Sequence, residues 1–190
     1  MSYYDSESDW SWLFHNGLDW ASLIPLFYPK FPTEDGLESK EEVIQFHEEL
    51  LKTISKWSST SINEKAAGLD KMGAGTIVDG KTIPGGDLEE IYREARDLDL
   101  FSLPLPRKYG GMDLPQSPHF IGLAFLARAC VSTSTQLAFF SAIGDMLARF
   151  GSEEVKERLI PKIASGEISG SMCLTEPGCG SDVGALKTSA

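Results

Sequence analysis

Positive charge is scarce in this chain of 190 residues. It has 17 Lys and Arg against 28 Asp and Glu, a formal net charge of −11, which argues against a nucleic-acid partner because phosphate binding needs a basic face. No stretch approaches the roughly 18 consecutive apolar residues of a membrane-spanning helix. The first ten residues, MSYYDSESDW, are acidic where a secretory leader would be basic. We therefore expect a cytoplasmic or mitochondrial-matrix-like protein that is not secreted and has no membrane span.

Cysteine and histidine are also sparse. The three cysteines, Cys130, Cys173 and Cys179, have no CxxC spacing, and the three histidines have no partner at helical i, i+4 spacing. Scattered cysteines in an odd number indicate free thiols rather than a disulfide framework. We expect no metal site, because neither residue type has the spacing of a ligand set.

Hydrophobic residues make up 42% of the chain, which is enough for a globular core. Their spacing predicts a mostly α-helical fold. Ser39 begins a capping box, and apolar residues at helical spacing then continue to about Trp57. Asp87 is expected to open a second helix. The region 120–150 is apolar on all sides, which predicts two buried helices joined near the Ser/Thr run at 132–135.

The segments between these helices give weaker signals. The Gly-rich stretch 58–87 is expected to be a long connection with a short hairpin at TIVDGKTI, where Asp-Gly suits a tight turn. Ser117-Pro118 has the pattern of a cap followed by proline in the first helical position. Ser152 is expected to cap a helix that breaks near Pro161.

These patterns divide the chain into three parts. Residues 1–36 form an aromatic N-terminal extension, residues 37–167 a helical domain, and residues 168–190 the start of a β-domain. The extension has several aromatic residues and prolines but lacks the basic residues of a membrane-surface helix. We expect it to pack its aromatic side chains onto the fold or onto a partner subunit.

The segment that carries chemistry is MCLTEPGCGSD, residues 172–182. Gly178 and Gly180 let the backbone approach a ligand closely, and free amides in such a loop can bind an anion such as a pyrophosphate. Thr175 and Ser181 can donate hydrogen bonds from their hydroxyls. The loop is neither a Walker loop nor a GxGxxG dinucleotide fingerprint, and on composition alone an ordinary strand-to-loop turn stays open.

This segment closely resembles the acyl-CoA dehydrogenase signature, with its T-E-P-x-x-G-S-D core. Upstream, LPLPRKYGGMDLP and RFGSEEVKERLIPKIASGEISG are similar to family segments in order and spacing, so the resemblance covers residues 85–190. It implies the N-terminal helical domain of the acyl-CoA dehydrogenase fold, followed by the first strand and loop of a β-barrel-like middle domain. The N-terminal extension resembles that of the long subfamily.

The resemblance also implies a set of site residues for the cofactor FAD. The expected cofactor-binding residues are Met172, Cys173, Leu174, Thr175, Gly180 and Ser181. Of these, Met172, Leu174 and Thr175 match positions against the isoalloxazine ring, while Gly180 and Ser181 match positions at the pyrophosphate. Ser181 is also expected to bind the CoA part of the substrate. The catalytic base of the family comes from a C-terminal domain, so no catalytic residue is assigned here, and helices within 117–150 would form one wall of the acyl pocket.

The implied reaction is FAD-dependent α,β-dehydrogenation of acyl-CoA thioesters to trans-2-enoyl-CoA, as in fatty acid β-oxidation. The chain is expected to be an incomplete part of that enzyme and to be inactive alone. By analogy the complete enzyme would be a homodimer or homotetramer that passes electrons to an electron-transferring flavoprotein. Two alternatives are an acyl-CoA oxidase-like flavoenzyme and a non-catalytic helical interaction module that retains the signature.

Overall fold

The computed structural model describes residues 2–73 and 75–189, and it is mostly helical, as predicted. The α-helices in these ranges are α1 (Tyr3–Ser6), α2 (Ser8–Trp12), α3 (Trp20–Phe27), α4 (Lys40–Trp57), α5 (Asn63–Met72), α6 (Gly86–Asp97), α7 (Gln116–Ala129), α8 (Val131–Phe150) and α9 (Glu153–Ala164). Strands β1 (Thr76–Val78) and β2 (Lys81–Ile83) form an antiparallel pair. Among the described helices, none is long and apolar enough to cross a membrane.

Helix α4 begins where the capping box predicts. The hydroxyl of Ser39 accepts a hydrogen bond from the backbone N–H of Glu42 at 3.2 Å, and the Glu42 carboxylate accepts one from the backbone N–H of Glu38 at 2.8 Å. Its apolar face packs against α7, where Gly122 allows close approach: a Cβ there would lie 3.2 Å from Cδ1 of Ile54. The core therefore lies between α4, α7 and α8.

The prediction of a long connection after Trp57 is wrong for its first half. The chain continues through a π-helical segment, Ser58–Ile62, into α5. A distant residue stabilises this continuation of the helix. The Glu94 carboxylate on α6 accepts hydrogen bonds from the Trp57 indole N–H at 2.6 Å and from the Ser61 hydroxyl. The local composition did not reveal this helix because its partner is more than thirty residues away.

The hairpin is confirmed, and its turn has the expected chemistry. Asp79 and Gly80 have φ values of 49° and 74°, the left-handed pair that a two-residue hairpin turn requires. Helix α6 follows but begins at Gly86, with Gly85 as the preceding cap residue. Asp87 is therefore not the cap; it lies in the first turn, where a carboxylate is favourable next to free N–H groups.

The two helices predicted in region 120–150 are confirmed as α7 and α8, but the break lies at Cys130, which has an extended backbone with φ −160°. The helices are not buried on all sides, since Phe120, Val131 and Phe150 are exposed. The Ser/Thr run at 132–135 falls in the first turns of α8. Helix α7 begins at Gln116, so Ser117 is not its cap. Pro118 is tolerated because N–H groups in the first turn have no acceptor within the helix.

Helix α9 begins as predicted, with the Ser152 hydroxyl accepting from the Val155 N–H at 3.4 Å. The expected break at Pro161 is wrong, because the helix continues to Ala164. Pro161 is exposed and lies in the last turn, where the proline removes only one backbone hydrogen bond. Gly166, with φ 72°, then turns the chain away from the helix.

The expected first strand of the β-domain is not formed. Residues 168–175 have no strand pairing, and only an isolated bridge joins Glu176 to Cys179. A strand needs a neighbouring strand for its backbone hydrogen bonds, and the described residues offer none at this place. The segment lies against α8 instead: a Cβ on Gly170 would be 2.9 Å from the Ile143 side chain.

The N-terminal segment packs its aromatic side chains onto the helical domain. Tyr4, Phe14, Trp20 and Tyr28 are all buried. Tyr4 also donates its backbone N–H to the Ser55 hydroxyl on α4 at 2.7 Å. This segment therefore contributes to the same core as α4 and α7.

Candidate functional site

The candidate loop begins on the surface after the segment has passed α8. Met172 is 50% exposed and Leu174 is 44% exposed, and Cys173 and Thr175 are exposed as well. The structure thus presents this run of predicted ring-contacting residues to solvent. Apolar side chains at this exposure are available to contact a ligand or another part of the protein.

Two of the predicted cofactor-binding residues, Thr175 and Gly180, lie side by side. A Cβ on Gly180 would lie 3.2 Å from Cγ2 of Thr175 and 3.5 Å from its Oγ1. Glycine is therefore the residue that lets the loop backbone approach the threonine side chain without displacing it. Ser181 follows in sequence and is exposed.

Backbone N–H groups are available at the tip of the loop. A tight turn joins Glu176 to Cys179, and a 3₁₀ turn covers Val183–Ala185. Between these turns, the N–H groups of residues 180–182 have no acceptor among the described residues. Successive free amides can bind an anionic oxygen where their N–H groups converge.

Glu176 holds this loop together through its side chain. Its carboxylate accepts hydrogen bonds from the backbone N–H groups of Lys187 at 3.0 Å and Thr188 at 2.8 Å. These bonds, with that of the Thr188 hydroxyl, lower the pKa of Glu176 to about 2. The partners of Glu176 could not be identified from sequence, because no local signal marks hydrogen bonds across eleven or twelve residues.

An apolar groove of about 460 Å³ lies between α7 and α8. Its lining residues are Leu123, Ala124, Ala127, Val131, Ser134, Thr135, Ala138, Phe139 and Ala142. Most are small, so the groove is open along its length, and Phe139 supplies its one aromatic ring. The segment that leads to the loop packs against α8 at Ile143, one residue after Ala142 of the groove lining.

The histidines of the core have structural rather than ligand-binding positions. His47 is fully buried, and its Nε2 is 2.8 Å from the hydroxyl of Tyr28. Burial lowers the pKa values of both His47 and His119 to about 4, so both are neutral near pH 7. Within residues 2–73 and 75–189, no three His, Cys, Asp or Glu side chains are grouped to hold a metal ion.

Comparison with known proteins agrees with this architecture. Residues 44–167 match the family model described as acyl-CoA dehydrogenase, N-terminal domain. An acyl-CoA dehydrogenase of Bacillus subtilis is 34% identical over 48% of the chain and 24% of its own length. The isovaleryl-CoA dehydrogenase of Pongo abelii is 26% identical over 84% of the chain and 35% of its own length.

The very long-chain specific acyl-CoA dehydrogenase of Homo sapiens is 30% identical over 79% of the chain and 21% of its own length. The chain therefore spans between 21% and 35% of the length of these three relatives. The family model covers more than half of the chain, and the observed fold is the helical one that the resemblance implied. The chain belongs to the acyl-CoA dehydrogenase family, and it carries the N-terminal helical domain of that family.

Proposed function

We propose that this chain supplies one wall and the flavin-contacting loop of an FAD-dependent acyl-CoA dehydrogenase, which converts acyl-CoA thioesters to trans-2-enoyl-CoA. The observation that carries the proposal is the loop itself, where Thr175 contacts Gly180 and free amides follow at residues 180–182. Relatives named as acyl-CoA dehydrogenases support the same reaction class. When bound, FAD accepts the hydride that leaves the β-carbon of the acyl chain.

The residues of this chain bind and orient the cofactor. The Thr175 hydroxyl would donate a hydrogen bond to the edge of the isoalloxazine ring, and Met172 and Leu174 would cover the ring and keep water away from it. Cys173 would also bind the cofactor. The amides at Gly180 and Ser181 hold the pyrophosphate. The Ser181 hydroxyl in addition binds the CoA part of the substrate.

The groove between α7 and α8 receives the acyl chain. Its apolar lining and small side chains favour burial of methylene groups, each worth about 0.8 kcal/mol when fully removed from water. Removal of the α proton needs a carboxylate base placed opposite the flavin. We assign no residue of the helical domain to that role. We expect these 190 residues alone not to turn over acyl-CoA.

We base the compartment, the oligomeric state and the electron acceptor of the complete enzyme on analogy with the family. We place it in the cytoplasm or in a mitochondrial matrix, since its relatives include bacterial and mitochondrial enzymes. We propose a homodimer or homotetramer that passes electrons to an electron-transferring flavoprotein or a similar acceptor.

Two glycines of the loop provide a matched test. Gly180→Ala places a methyl group 3.2 Å from Thr175, whereas a Cβ at Gly178 meets nothing within 4 Å. In the protein that contains this chain, Gly180→Ala is expected to weaken FAD binding about tenfold, which corresponds to the loss of roughly one hydrogen bond. Gly178→Ala should leave the affinity unchanged. FAD fluorescence titration of the apoprotein measures both values.

The two variants also separate the competing functions. Equal FAD affinity in wild type and Gly180→Ala would mean that the loop does not contact the cofactor. Absence of FAD binding in all three proteins would favour the non-catalytic interaction module. Flavin binding combined with rapid reoxidation by oxygen after reduction by acyl-CoA would point to an oxidase-like enzyme.

A further inference from the structure

Glu176 closes the candidate loop at its base. One carboxylate oxygen, Oε2, accepts the Lys187 N–H at 3.0 Å. The other, Oε1, accepts both the N–H of Thr188 at 2.8 Å and the Thr188 hydroxyl. The side chain thereby joins two points of the chain that are twelve residues apart.

The backbone of the same residue makes a second, smaller closure. The Glu176 N–H donates to the Cys179 carbonyl at 2.9 Å, and the Cys179 N–H donates to the Glu176 carbonyl at 3.2 Å. The Cys179 thiol also lies 3.7 Å from Oε2 of Glu176. One residue therefore holds both the tight turn at the start of the loop and the return of the chain at its end.

The segment with the free amides lies within the closure made by the Glu176 side chain and directly after the closure made by its backbone. Residues 180–182 follow the tight turn and precede the 3₁₀ turn that starts at Val183. Fixing the two ends of a loop reduces the number of conformations open to the residues between them, which include those with the free amides. Preorganisation of this kind raises affinity by reducing the entropy lost on binding.

We propose that Glu176 is a positioning residue, which orders the amides of residues 180–182 through the base of the loop and does not itself contact the ligand. The statement that these amides hold a flavin pyrophosphate rests on the proposed function. The statement that Glu176 orders these amides is independent of the proposed function.

A direct role in proton transfer is a poor fit for this carboxylate. Both of its oxygens already accept hydrogen bonds. The Thr188 hydroxyl and the two backbone N–H groups lower the pKa of Glu176 to about 2. A carboxylate with so low a pKa is a weak base near neutral pH.

Hydrogen exchange on the 190-residue chain tests the positioning role without any cofactor. We compare wild type with Glu176→Gln and with Glu176→Asp, which has a shorter side chain. The control is Glu157→Gln, because Glu157 is an exposed carboxylate on α9. Glu176→Gln is expected to speed exchange roughly fivefold at the amides of Lys187 and Thr188 and to move their proton shifts upfield. The thermal midpoint should stay unchanged in all four proteins, because the loop lies outside the core.

Glu176→Asp separates charge from geometry. It keeps the negative charge but is one methylene too short to reach both amides, so it should behave like Glu176→Gln. Wild-type exchange rates in Glu176→Asp would show that only the charge matters, and wild-type rates in Glu176→Gln would show that the contact orders nothing. Either result overturns the proposal.

FAD titration of the protein that contains this chain tests the functional half. If exchange at Lys187 and Thr188 is slow in wild type, we expect Glu176→Gln and Glu176→Asp to weaken FAD binding severalfold. Glu157→Gln should leave FAD binding unchanged. If exchange responds to Glu176→Gln but wild type binds no FAD, the positioning role stands and the proposed function fails. If FAD binds equally to wild type and Glu176→Gln, the positioning has no bearing on the cofactor, and the inference fails while the proposed function stands.

Discussion

Phe14 and Trp12, two nearby aromatic residues of the N-terminal segment, differ in burial. Phe14 is fully buried and its ring lies edge-on to Trp20, with centroids 5.1 Å apart, whereas Trp12 is 63% exposed. Phe14→Ala should lower the free energy of unfolding by about 3–5 kcal/mol, because it leaves a cavity in a packed core. Trp12→Ala should change it by less than about 0.5 kcal/mol. Urea denaturation measures both, and equal effects would mean that the segment does not pack as described.

The buried His47 makes stability depend on pH. In the unfolded chain its imidazole takes up a proton below about pH 6.5, while burial in the folded protein lowers its pKa to about 4. The unfolded state therefore binds more protons between these values, and stability decreases as the pH falls from 6.5 towards 4. From pH 7 to pH 5 the expected loss is about 2 kcal/mol for this one residue.

A neutral substitution isolates this effect. His47→Gln keeps a polar side chain that does not titrate, so its free energy of unfolding should fall less between pH 7 and pH 5 than that of wild type. His119, whose pKa is also lowered to about 4 by burial, contributes to the remaining dependence. Carboxylates with lowered pKa values, such as Glu48 and Glu94, contribute in the same direction. Identical pH dependence in wild type and variant would show that His47 is not buried in a neutral form.

Sequence reasoning reached the residues of the loop but not the contacts between them. The glycines and hydroxyls of the run 172–182 are compatible with a ligand-binding loop, but the prediction itself came from the resemblance of this run to the acyl-CoA dehydrogenase signature. The contact between Thr175 and Gly180 depends on how the turn folds back. The bonds from Lys187 and Thr188 to Glu176 depend on the return of the chain, which no local pattern encodes.

At the scale of elements, a Gly→Ala substitution in a helix can raise or lower the stability of the protein, depending on what the glycine faces. Gly144 of α8 lies against the fully buried Leu105, where a Cβ would be 2.6 Å from Cδ2, whereas a Cβ on Gly68 of α5 would meet only Oδ2 of Asp87 at 3.4 Å. Gly144→Ala should destabilise the protein by about 1–3 kcal/mol, because a packed core resists extra volume. Gly68→Ala should stabilise it by up to about 1 kcal/mol through helix propensity. Thermal unfolding distinguishes the two, and stabilisation by both would place Gly144 outside the core.

Several elements with local signals were predicted correctly, although the local signals at Asp87, Ser117 and Pro161 misled. Elements with distant partners were not predicted. The cap at Ser39 and the Asp79-Gly80 turn are set by residues within a few positions, and both are confirmed. Helix α5 was missed because Glu94 on α6 stabilises its start. The expected strand over 168–175 failed for the opposite reason, since its sequence suits a strand but no neighbouring strand pairs with it among the described residues.

At the scale of the whole molecule, the N-terminal segment, the helical domain and the loop form a connected structure. Asp35 forms a bidentate ion pair with Arg107, and Glu7 pairs with Arg128 on α7. The acidic extension is therefore attached at both ends to basic residues of the helical domain. The boundaries 1–36, 37–167 and 168–190 stay predictions from the sequence pattern.

The central claim, that the loop and the groove belong to a flavin site for acyl-CoA, is tested most directly by one absorption measurement. The visible spectrum of the protein that contains this chain is recorded before and after anaerobic addition of a medium- or long-chain acyl-CoA. Our account predicts a flavin spectrum that bleaches on addition, because the substrate reduces the bound FAD. A colourless protein that stays colourless after addition of FAD would contradict it.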